Sequence, residues 1–143
     1  MAATGHDALN RTVEKTTQLL REVEVAYGWP PERRGQSFAA LRAVLHAIRD
    51  RLTVHEAADF AGPLPMLVRG LYYEGWQPAK VPMKSSKHDF LERIQETFNY
   101  AAEGGTELLV ERVVLALSHH IPEGEWDDVR VMLPKDLADV LPT

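Results

Sequence analysis

Five residues in one short run carry the side chains best suited to recognition: Arg69, Tyr72, Tyr73, Glu74 and Trp76. Aromatic rings offer large rigid contact surfaces and arginine offers a fixed fork of donors, so these types dominate interface energetics. On a helix Arg69, Tyr72, Tyr73 and Trp76 fall three, four and seven positions apart and share one broad side. The pattern predicts a binding surface over residues 69–76, facing another protein or a second copy of the chain. A structural reading competes with it, in which the same aromatics wall a seam between two halves of the molecule.

Catalytic and metal chemistry finds weaker support. The histidines are His6, His46, His55, His88, His119 and His120, and no two are spaced i, i+4. His119 and His120 are adjacent, so on a helix they point about 100° apart and cannot jointly chelate one ion. His46 sits beside Leu45 on a core-facing pattern, where a hydrogen-bonded histidine is expected. Glu123, Glu125, Asp127 and Asp128 lack the closing glutamate of a calcium loop and read as a solvated helix start. Gly104-Gly105 has no following lysine to make a phosphate loop. Without cysteine there is neither a disulfide nor a thiolate site. No catalytic residue, metal or cofactor is therefore expected, and a non-enzymatic interaction module is the leading reading.

Two alternatives stand beside it. A small-molecule or enzymatic pocket could lie between the two halves, lined by Trp29, Tyr72, Tyr73 and Trp76. Lys80, Lys84, Lys87 and His88, next to the aromatics, could instead stack and neutralise single-stranded nucleic acid. Charge argues against the latter. Residues 1–78 balance nine basic against nine acidic side chains, whereas residues 89–143 hold four basic against twelve acidic. An acidic half of that size repels a phosphate backbone.

These residues need elements to position them, and the pattern is helical throughout. Asn10 or Thr12 is expected to cap a first helix reaching about Ala26, with Val13, Thr16, Leu19, Leu20 and Val23 inward. Tyr27-Gly28-Trp29-Pro30-Pro31 stops it. Ser37 is expected to cap a second helix with Phe38, Leu41, Val44, Leu45 and Ile48 as its stripe. Arg42, Arg49, Asp50 and Arg51 would lie on its wet face. Thr53 to Glu56 is a capping box, and Leu64-Pro65 opens a helix with Leu67, Val68, Leu71 and Tyr72 inward. Ser86 is expected to cap a helix ending at Gly104-Gly105, and Thr106 to cap the next. Short helices follow from Glu125 and from Leu133-Pro134, the last carrying Leu137, Val140 and Leu141.

Shifting the chain by 69 positions brings its halves into register without a gap from Gln36 to about Tyr72. Leu41, Val44, Leu45 and Ile48 fall on Val110, Val113, Val114 and Leu117, and Leu64-Pro65 falls on Leu133-Pro134. The expected fold is all-α, about eight helices in two tandem related repeats sharing one core. The boundaries are 1–78 for the first repeat, 79–87 for a basic linker and 88–143 for the second. The aromatics of residues 72–76 have no counterpart in 138–143, which makes them either a seam or a functional addition. The polar first ten residues lack a signal-peptide core and no apolar run reaches about 18 residues. A cytoplasmic protein that does not enter a membrane is expected.

The run Leu41 to Pro78, LRAVLHAIRDRLTVHEAADFAGPLPMLVRGLYYEGWQP, followed by HDFLERI at His88 to Ile94, closely resembles the bacterial and archaeal family called domain of unknown function 2267. GLYYEGW is the most specific part, and the resemblance covers about residues 8 to 142. It implies an all-helical fold and carries no established activity or catalytic residue.

Overall fold

A computed structural model describes residues 5–133 and residue 135. Among them are seven α-helices and no strand: α1 (Gly5–Tyr27), α2 (Arg34–Arg51), α3 (Val54–Ala61), α4 (Met66–Tyr73), α5 (Lys87–Phe98), α6 (Thr106–Ser118) and α7 (Glu123–Met132). Single 3-10 turns at Pro31–Arg33 and Pro78–Lys80 complete the path. The last expected helix, with Leu137, Val140 and Leu141, lies outside the described residues. No described helix is long and apolar enough to cross a membrane.

Local chemistry sets most boundaries. α1 ends where Gly28 turns left-handed at φ 74°. There Gly28 N–H donates to Val25 O at 3.2 Å and Trp29 N–H to Glu24 O at 2.8 Å. This pairing satisfies two carbonyls that a helix end otherwise leaves open. Thr53 and Glu56 form the expected capping box of α3, and Ser86 pairs with Asp89 in the same way on α5. α5 ends earlier than expected, at Phe98, because Asn99 takes the left-handed cap at φ 59°.

Three expected caps are corrected. α1 begins at Gly5, upstream of Asn10 and Thr12. Ser37 lies inside α2, buried, with its hydroxyl donating to Glu24 Oε2 at 2.6 Å. Thr106 is the first residue of α6, and Gly105, at φ 98°, holds the cap position. A hydroxyl at a helix start thus has other uses when an adjacent helix offers a buried acceptor.

α2 is the centre of the molecule: α1, α4, α5 and α6 all pack against it. Its side chains are buried on most sides, including Leu41, Val44, Leu45 and Ile48. Together with Leu19, Val23, Phe60, Val68, Tyr72, Phe90, Ile94, Phe98 and the α6 stripe, they form one core cluster. A helix enclosed by four others has little wet face. The expectation that Arg49 and Asp50 are solvated is accordingly overturned, since they are 3% and 6% exposed. Conversely Val13, Phe38 and Leu67, expected inward, are exposed.

Candidate functional site

α4 and the turn after it are held at both ends by side chains from distant helices. At its start, Leu67 N–H donates to Thr12 Oγ1 at 2.9 Å, so Thr12 caps α4 from 55 positions away instead of capping its own helix. The Arg69 guanidinium folds back onto the α3–α4 turn. It donates to Ala61 O at 3.1 Å, and to Gly62 O and Leu64 O at 3.0 Å each. At the far end α2 supplies three donors to the last carbonyls. His46 Nε2–H donates to Leu71 O at 2.8 Å, and Arg49 Nη1 donates to Tyr72 O at 2.9 Å and Glu74 O at 2.7 Å. A cation over a helix C-terminus opposes the negative end of the dipole as well as filling lone pairs. Burial, with a smaller part from neighbouring arginines, holds His46 below its ordinary range despite the Leu71 bond.

The expected recognition residues separate under this geometry. Tyr72 is fully buried, stacked on Phe60 with centroids 5.3 Å apart, and its hydroxyl donates to Ala57 O at 2.8 Å. Burial pushes its phenol far above the ordinary value. Tyr72 is therefore part of the scaffold, whereas Arg69 is exposed and turns its guanidinium onto backbone carbonyls. Tyr73 and Trp76 are half-buried against the core, 5.3 Å apart by ring centroids. The Trp76 indole N–H is enclosed without an acceptor among the described residues. Glu74 faces outward with a charged side-chain partner: Arg42 Nε donates to its Oε1 at 2.8 Å, which holds the carboxyl below its usual range.

The four rings expected to line a pocket between the halves fall into two separate groups. Trp29 stacks on Tyr27 at 4.4 Å with the Arg33 guanidinium over it, whereas Tyr72 packs on Phe60 and Tyr73. The enclosed Tyr72 ring likewise cannot stack a nucleobase beside the lysines. His119 and His120 both reach the Glu22 carboxylate, at 3.1 Å and 3.3 Å.

What lies open is the opposite side of α4. Leu9, Met66, Leu67 and Phe38 are 60%, 58%, 47% and 43% exposed, and they surround a groove of about 440 Å³. Thr12 and Thr16 of α1 form one wall. Val68, Gly70 and Leu71 of α4 form the other, with Glu74 at one end. None of the four exposed apolar residues was expected there. A signal existed: Met66, Leu67, Val68, Leu71 and Tyr72 give an eight-residue helix more large apolar side chains than one face can bury.

A second cluster was also missed. Asp50 accepts from Arg49 Nε at 2.8 Å and Nη2 at 3.1 Å, and from Arg93 Nη2 of α5. Burial alone would raise this carboxyl, but the two guanidinium groups hold it below its ordinary range. Among the described residues no three His, Cys, Asp or Glu side chains gather as metal ligands would.

No curated protein matches the chain. A family model does match, over residues 16–140: the chain belongs to the family described as an uncharacterized conserved protein, domain of unknown function 2267.

Proposed function

We propose that the chain is a helical interaction module whose α1–α4 groove receives an amphipathic helix from a partner protein. The observation that carries this is the continuous rim of Leu9, Phe38, Met66 and Leu67 around an open apolar groove. Contiguous exposed apolar surface is costly in a lone chain and marks interaction sites. A partner helix lying between two helices presents anchors at i, i+3/i+4 and i+7. Gly70 suits a close approach, since no heavy atom lies within 4 Å of a Cβ built there. Met66 supplies the adaptable thioether common on such surfaces. Glu74 is the one ionisable group on the groove wall and is already paired with Arg42, so the partner helix is expected to dock through apolar anchors. Of the five residues read from sequence, Glu74 is retained in this surface.

The test uses a photo-crosslinker at position 67 of the full chain, with a control crosslinker at exposed Val25, and sequencing of the captured segment. The captured segment is then made as a peptide and its binding read by fluorescence anisotropy. Anchors at helical spacing, and at least tenfold weaker binding to Leu67→Glu, are expected. An extended segment, capture of the chain by itself, or a peptide indifferent to Leu67→Glu would overturn the reading.

We also infer that the two halves, 1–78 and 88–143 about the 79–87 linker, descend from one duplicated unit. Support comes from burial under the 69-residue shift. Ala40, Leu41, Val44, Leu45, Ala47, Ile48, Leu52, Phe60 and Leu64 are buried, and so are Leu109, Val110, Val113, Val114, Ala116, Leu117, Ile121, Val129 and Leu133. An experimental structure in which α2–α3 and α6–α7 fail to superpose would end this inference.

A further inference from the structure

A cavity of about 190 Å³ lies between α2, α5 and the 75–83 segment. Arg49, Asp50, Gly75, Gln77, Lys80, Val81, Met83 and Arg93 line it, so three cations face a single carboxylate. That carboxylate is already engaged by three guanidinium N–H groups, two from Arg49 and one from Arg93. Arg49 commits four of its five N–H groups to Asp50 and the α4 carbonyls, and it contributes chiefly charge to the cavity. Arg93 is different: its Nη1 donates to the Met83 thioether at 3.4 Å, a weak acceptor that an oxyanion would displace. Lys80 is exposed and has no acidic partner among the described residues. Gln77 adds an amide to the wall.

We propose that this cavity binds a phosphate group, held by Arg93 and Lys80 with Arg49 and Gln77 behind. Three cations less one carboxylate leave two positive charges, the complement of a phosphate dianion. Planar guanidinium forks match its oxygens, and lysine adds a point charge. The volume suits a small group: pockets for drug-sized ligands run from about 300 Å³, and this smaller cavity has room for a single tetrahedral anion. The site shares no lining residue with the α1–α4 groove and does not depend on it.

The shared chemistry is a phosphate monoester or the free ion, and two arms separate them. The full chain is titrated with inorganic phosphate and, separately, with O-phosphoserine, with sodium chloride holding ionic strength constant. Phosphorus NMR line broadening and thermal melts report binding. Saturable one-to-one binding is expected. Lys80→Glu and Arg93→Lys should each weaken it at least tenfold, the second while keeping the charge but losing the fork. Lys84→Glu, which lies outside the cavity, should leave it within twofold. Phosphoserine binding as tightly as the free ion assigns a monoester ligand, and phosphate binding alone assigns the ion. Non-saturable broadening, or equal losses in Lys80→Glu and Lys84→Glu, would reduce the effect to general surface charge and overturn the proposal. Lys80→Glu changes an exposed side chain and keeps the test valid if Arg93→Lys fails to fold.

Discussion

Replacing Arg49 with methionine keeps the stem and removes the charge, and the structure sets out what is lost. Two bonds to Asp50 disappear, at 2.8 and 3.1 Å, and two to the end of α4, at 2.9 and 2.7 Å. Asp50 is 6% exposed and would keep Arg93 as its remaining counter-charge among the described residues. Breaking a buried pair from one side costs about 3–5 kcal/mol, because an under-compensated charge stays in the interior. A urea melt of Arg49→Met at pH 7 should show a loss in that range. Adding Asp50→Leu to the same chain removes the stranded carboxylate and should recover roughly 2 kcal/mol.

Acid provides a second readout. Asp50 sits below its ordinary 3.8 in the folded chain, so it contributes stability above that pH. The contribution is lost as pH falls through the folded value. With Arg49 gone the carboxyl titrates higher, and the deficit of the variant should narrow below about pH 4. A loss under about 1 kcal/mol, no recovery in the double variant, or a pH-independent deficit would refute the reading that Arg49 ties Asp50 to α4.

Other substitutions test the remaining contacts. Thr12→Val removes the distant cap of α4 and should cost about 1 kcal/mol in a denaturant melt, with Thr12→Ser recovering most of it. Tyr72→Phe leaves Ala57 O without its buried donor and should cost about 1–2 kcal/mol, and in the parent the Tyr72 phenol should titrate only on unfolding. Trp76→Phe deletes an enclosed N–H that has no acceptor among the described residues, so it should change stability by less than about 0.5 kcal/mol or raise it. By contrast Leu71→Ala should cost about 2–5 kcal/mol as a core truncation.

The sequence by itself determined the helices and many of their stops. Periodicity at 3.6 residues marks Leu41, Val44, Leu45 and Ile48, and all four are buried. Gly28, Thr53 and Ser86 end or start helices where they stand, because the chemistry of a turn or capping box is contained within a few residues. The burial of Leu71 and Tyr72 was legible for the same reason. What the tertiary structure alone decided is which faces meet something. Arg49 and Asp50 read as solvated on a helix seen singly, and become interior because α1, α4, α5 and α6 surround α2. Phe38 and Leu67 read as core and become a rim, because they border a groove that no described element fills. Thr12 serves a helix 55 positions away, a pairing that no local pattern encodes. Burial is a property of neighbours in space, and a one-dimensional period reports only that a face exists.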